Sequence, residues 1–180
     1  MTGVRRLASF SAVRGLPVVG RADGAGVGKV DDVLVGLDDL RTIGFRLRAP
    51  GFWSGMLGVV AASVERLGRD YVIVSELGAA EPAGESRGPL DDRVWWSDWA
   101  GCRCITRRGV EVGKLTDLIL DADGARARAF VLDGGRLLVP GPRVAIGADS
   151  VIVDEVDVAV KLVASEDSGE WWREVEALLA

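Results

Sequence analysis

The sequence predicts an all-β protein: two tandem small β-barrels followed by a short C-terminal α-helix. Three observations point there. The stretch "GAGVGKVDDVLVGLDDL" (24–40) returns as "GVEVGKLTDLILDADG" (109–124), and Gly28/Gly113, Lys29/Lys114, Asp32/Asp117 and Phe45/Phe130 keep one register, 85 positions apart. The flanking segments are short β-branched runs broken by Gly, Asp and Pro turns. No long amphipathic helix separates one run from the next, as a parallel α/β sheet would require. A period near 80 residues also exceeds the roughly 20–50 residues of a solenoid unit, so two tandem domains fit better.

In the first copy Val18 starts an apolar run, "RADGAG" turns the chain, and Val27, Val30, Val33 and Val35 form a second run, which together make a hairpin pattern. Alternation places Val33 and Val35 on one face and Leu34 on the other. Gly28 and Gly113 sit inside strand-like segments, where glycine marks a bulge, a tight bend or a close backbone approach. The second copy repeats the pattern with Cys102, Cys104 and Ile105, the turn "RRG", then Val112, Leu115, Leu118 and Leu120, with Ile119 opposite. "IGFRLR" and "RAFVLD" alternate as further strands, and each copy ends on "YVIV" or "VIV". There the offset has shrunk to 79 (Gly68 to Gly147), because the first copy carries a longer central hairpin with Phe52 and Trp53 near its tip. The expected organisation is a first barrel over 1–78, a Gly/Pro/charge-rich linker over 79–94, a second barrel over 95–165 and an amphipathic helix over 166–180.

Composition narrows the function. With 27 acidic against 22 basic residues the net charge is −5, so the mean field repels nucleic acid and anionic lipid. Histidine is absent, which removes the usual base of a hydrolase triad and the commonest zinc ligand. Neither terminus pairs a basic segment with an apolar one, and no apolar run approaches the ~18 residues of a membrane helix. A cytoplasmic, unprocessed protein without membrane insertion is the expectation.

The order of apolar strand, turn, "G.VGKV.DVLV" or "G.EVGKLTDLIL", acidic-Gly turn, "F.L" strand and "P...V..IG.D.VIV" resembles the PRC-barrel family over residues 7–77 and 98–160. That family includes the photosynthetic reaction centre H subunit and the C-terminal domain of RimM-type ribosome maturation factors. The second copy is the better match; the first lacks the proline before its last strand. The resemblance implies a docking or scaffold barrel and no catalytic set. The membrane anchor of the reaction-centre subunit and the different first barrel of the RimM type are both without counterpart here.

The candidate residues follow from these readings. Trp95, Trp96 and Trp99 crowd "VWWSDWAG", and Trp171 and Trp172 open the terminal segment. With Trp53 they are the candidates for a partner-binding or self-association surface, weighed against packing on their own chain. In the helical tail Trp172, Val175, Leu178 and Leu179 share the apolar face. An RNA- or ribosome-associated role would use Arg103, Arg107, Arg108, Arg126 and Arg128, with Arg136 and Arg143, whereas the acidic balance favours a solvated face. A third reading, a ligand-binding protein or enzyme with an interdomain cleft, would call on Asp117 or Glu111 as acid/base groups, with no spacing to single out a pair. Cys102 and Cys104 lack the further ligands a metal needs and read as inert thiols. Asp32 and Asp117 read as local caps or as partners of Lys29 and Lys114, and the other acidic pairs as turn formers. No catalytic residue, cofactor or metal is expected.

Overall fold

The computed structural model describes residues 7–49, 56–75, 92–140, 145–147, 149–154, 158–161 and 169–179. Trp53 with the hairpin tip, most of the linker and Arg143 lie outside them. The first copy contains β1 (Leu7–Ser9), the one-turn helix α1 (Phe10–Val13), β2 (Pro17–Gly20), β3 (Gly26–Gly36), β4 (Thr42–Arg48) and β5 (Met56–Val60). A 3-10 turn (Ala61–Ser63), β6 (Val64–Leu67) and β7 (Val72–Val74) complete it. The second contains β8 (Arg93–Trp95), α2 (Trp96–Trp99), β9 (Arg103–Thr106), β10 (Glu111–Asp121), β11 (Ala127–Leu132) and β12 (Arg136–Leu138). It continues through β13 (Ala145–Ile146), β14 (Ser150–Val153) and β15 (Val158–Lys161) to α3 (Gly169–Leu179).

The repeat in the sequence is a repeat in topology. One sheet runs β5-β4-β3-β2-β7-β6 and the other β12-β11-β10-β9-β14-β13, strand for strand. In each, a late strand, β7 or β14, returns parallel to the first hairpin strand: Val18 opposite Val72, Cys104 opposite Val151. The fold is therefore all-β with two sheets and a C-terminal helix, as the pattern predicts. The second sheet is extended by β15 beside β12, and β8 adds to the first by pairing with the end of β3.

Alternation alone understates burial. Val33, Val35, Leu118 and Leu120 are fully buried, as expected of an inward face, but Ile119 on the opposite face is fully buried too. A strand covered on both faces no longer shows the period of two that marks a half-buried strand.

The chain packs as two units that do not follow the repeat: Met1–Asp98 with Leu120–Ala127, and Trp99–Ile119 with Arg128–Ala180. The turn over 120–127 belongs to the first unit through a set of backbone bonds. The amides of Thr42, Leu67 and Ala127 donate to the carbonyls of Ala125, Ala122 and Leu40. Gly124 packs on Phe45 and Val64. In the second unit Trp99 stands edge-on to Phe130 at 5.3 Å between ring centres and donates its indole N–H to the Gly147 carbonyl at 2.9 Å.

Gly28 and Gly113 mark close approaches, as strand glycines should. A register shift lies beside each, between Val18 and Val19 on β2 and between Glu111 and Gly113 on β10. A Cβ on Gly28 would stand 2.6 Å from the Arg48 carbonyl oxygen, a backbone atom that cannot swing away. Gly28→Ala is expected to lower stability by about 2 kcal/mol or more, in the range of overpacking and backbone strain. Gly26→Ala, two residues away with open space around its Cβ, is expected to change it by less than about 1 kcal/mol. Urea titration of the two variants measures the difference.

Candidate interaction surface

Four charged residues of the first copy gather at one bulge. β3 pairs with β4 as Val30 opposite Leu47 and then Asp32 opposite Arg46, so Asp31 is the extra residue. In a regular strand neighbouring side chains point to opposite faces; the bulge lets Asp31 and Asp32 reach one arginine together. Arg46 Nε lies 2.9 Å from Asp31 and a terminal nitrogen 3.1 Å from Asp32, while Arg48 holds Asp31 at 2.8 Å. The Arg46 guanidinium also lies 5.0 Å over the ring of Trp95, a cation–π contact on a half-buried indole. Asp32, 1% exposed, accepts the amides of Val33 at 2.9 Å and Ser97 at 3.2 Å. Ser97 lies in the first turn of α2, where amides have no partner within the helix, so a residue distant in sequence caps it.

Asp32 is thus a cap, but with Arg46, Ser97 and Val33 rather than with Lys29, whose side chain is exposed. In the second copy buried Asp117 keeps the bond to the following amide, that of Leu118, at 2.8 Å. Thr116 and Val131 stand where the first copy has Asp31 and Arg46, and the Thr116 hydroxyl donates to the Val131 carbonyl. The buried aspartate is shared by both copies and the ion-pair cluster belongs to the first alone. Both carboxylates of the cluster are engaged by arginine. Turn formation accounts for other acids, as their positions predict: Asp23, Asp39 and Asp123 each accept the amide two residues on.

The tryptophans correct the expectation of an aromatic docking surface. Trp96, Trp99, Trp171 and Trp172 are buried. Trp95, half-buried, pairs with Leu34 on β3 and carries Arg46. Trp53 lies outside the described residues. The reason is legible in the repeat once it is extended upstream: Phe10 and Val13 of α1 correspond to Trp96 and Trp99 of α2 at an offset of 86, and all four are buried. Gly15 and Gly101, at the same offset, have φ of 87° and 86° and donate to the carbonyls of Val30 and Leu115. "VWWSDWAG" is therefore the opening of the second copy, and its tryptophans fill positions that Phe10 and Val13 fill in the first. In α3, Trp171 and Trp172 meet edge to face at 4.8 Å and Val175 completes the buried stripe, while Leu178, expected on that face, is exposed.

The five arginines of the RNA reading are exposed but occupied. Arg107 pairs with Asp154 at 3.0 Å and Arg103 with Glu111 at 3.8 Å. Arg126 donates to the Asp39 carbonyl and Arg128 to that of Leu179. Arg108 also has a partner, so none of the five is an uncommitted charge. Glu111, one of the two carboxylates of the enzyme reading, is the partner of Arg103, and Asp117 is buried. Among the described residues no helix is long and apolar enough to cross a membrane, and no group of three metal-ligating acids or cysteines gathers.

What the described surface offers is small and apolar. On β9, Cys104 and Thr106 point inward and Ile105 outward; on β14, Val151 and Val153 point inward and Ile152, 39% exposed, outward. Ile105 and Ile152 are direct neighbours in the parallel register. The Arg103–Glu111 and Arg107–Asp154 pairs flank them.

Residues 91–160 match the PRC-barrel domain family. The match spans the second copy from β8 to β15, and the kinship of the first copy with it rests on the internal repeat and the shared strand order. No curated protein matches the chain.

Two outcomes test the buried groups. Arg46→Val, which leaves Asp32 buried without its cation, is expected to cost at least about 2 kcal/mol, below the fully buried case because Arg46 keeps 21% side-chain exposure. Asp31→Thr/Arg46→Val installs the second copy's pair and is expected to recover part of that loss, seen as non-additivity in a denaturation cycle. Burial pushes the Cys104 thiol up to about 11, and burial followed by the charge of Asp149 raises Cys102. Because the raised folded value disfavours the thiolate, the contribution of Cys104 to stability is full below about pH 8.5, the ordinary thiol range, and is lost as pH rises through about 11. Cys104 is expected to react with a disulfide reagent at pH 8 only as fast as the protein opens, and rapidly in denaturant.

Proposed function

We propose that this protein is a non-enzymatic adaptor that binds another protein through the outward face of β9 and β14 in its PRC-barrel domain. The observation that carries the reading is the Ile105–Ile152 pair, apolar and outward on adjacent strands, with ion pairs beside it. An apolar centre with a polar, solvated rim is the usual anatomy of a protein interface. The domain match supports the same reading, since the resemblance to PRC barrels implies docking rather than catalysis. The occupied carboxylates of the first copy are in keeping with it.

The alternative of RNA or ribosome association is less well supported, because the arginines that would contact phosphate are engaged and the net charge is −5. A partner of either kind is distinguished by recovery from lysate with and without nuclease. Ile152→Glu is expected to keep the unfolding midpoint within a few degrees, since the side chain faces water, and to reduce recovery of a nuclease-resistant protein partner at least tenfold. Undiminished recovery by Ile152→Glu would rule this face out, and recovery abolished by nuclease would favour the RNA reading. Self-association through the same face would appear as a concentration-dependent mass that the variant loses.

A further inference from the structure

A second surface, in the first unit, has the features of a small-ligand site. A half-open groove of about 310 Å³ is lined by Arg41, Thr42, Ile43 and Val60 together with three alanines. It forms because the neighbour of the β4 chain changes along its length. Up to Thr42 that neighbour is the 125–127 segment, through the amide bonds of Ala127 to Leu40 and of Thr42 to Ala125. From Gly44 onward it is β5, whose Val60 stands opposite Gly44. The gap between the two neighbours is the groove.

Its lining combines an apolar wall with one cation. Val60, 58% exposed, and Ile43 are large apolar side chains left facing water. Arg41, two residues before Ile43 and so on the same side of the strand, has no side-chain partner among the described residues, unlike the five arginines of the RNA reading. Thr42, between them, points to the inner side: it is 3% exposed and its hydroxyl is buried. A volume of about 310 Å³ is at the low end of the ~300–1,000 Å³ typical of ligand pockets.

We infer that this groove binds a small aliphatic carboxylate, its branched hydrocarbon body against Ile43, Val60 and the three alanines and its carboxylate on the Arg41 guanidinium. Bidentate geometry suits Arg41 to a carboxylate more than to a single-atom acceptor. The alanines keep the walls low enough to admit a branched chain. The site lies in the other unit from the Ile105–Ile152 face and stands or falls separately from the adaptor reading.

The experiment is an amide-resolved NMR titration of the full chain with 4-methylpentanoate and, in parallel, its neutral amide. Saturable shifts confined to Thr42, Ile43, Val60, Ala61, Ala62 and Ala125 are expected, with a Kd on the order of 1 mM for so small a ligand. The acid is expected to bind about fivefold or more tightly than the amide, and Arg41→Gln, at an exposed side chain, to remove that preference. Shifts that fail to saturate by about 20 mM, or that spread over the whole spectrum, would overturn the inference. So would equal affinity for acid and amide, or an unchanged preference in Arg41→Gln.

Discussion

One buried carboxylate organises the first copy. Asp32 lies within the long strand β3, 1% exposed, where an unpaired charge would be prohibitive, and every group that satisfies it comes from a different element or from the next backbone amide. The Val33 amide fixes the local backbone, Arg46 ties the strand to β4, and Ser97 brings in α2. Because α2 begins the second copy, this one side chain joins the opening of one repeat to the sheet of the other. Trp95, carried along on β8, then meets Arg46 in a cation–π contact at 5.0 Å.

The bulge at Asp31 makes this arrangement possible, and comparison of the two copies separates what the fold needs from what is particular to the first. Both keep the buried aspartate and its bond to the next amide. Only the first adds the extra acid and two arginines. The second places Thr116 and Val131 there, a neutral pair whose hydroxyl is satisfied by a backbone carbonyl. Charge is therefore one of two solutions to the same local geometry, with the neutral one avoiding the desolvation that ion pairs carry.

The division of the aromatic residues follows from the same packing. Tryptophan is an economical way to fill a core position in a small sheet that has few layers, since one indole buries roughly 150–250 Å². Trp96 and Trp99 occupy in the second copy what Phe10 and Val13 occupy in the first, and with Trp171 and Trp172 they go to the interior. Among the described residues the large apolar side chains left at the surface include two sets of aliphatic neighbours, Ile105 with Ile152 across two strands and Ile43 with Val60 along one groove. Such neighbours are too ordinary in composition to stand out from the sequence.

The repeat, the short strands within it, the glycines that mark close approach and the C-terminal helix are all legible in the chain before it folds. Those signals are local, written in turn residues and in apolar periodicity over a few positions. The equivalence of "ASFSAV" and "VWWSDW" is present there too, but only Ser11 and Ser97 are identical and the buried positions keep bulk and burial rather than residue type. Folding settles which segments join which unit, since the turn at 120–127 and the strand β8 find their partners in the first copy through backbone bonds. It likewise settles the partners of Asp32 and the fate of the tryptophans and arginines. Several of these pairings span from 14 to 87 positions, as with Asp32 and Arg46 or Asp39 and Arg126, a distance over which no periodicity reaches.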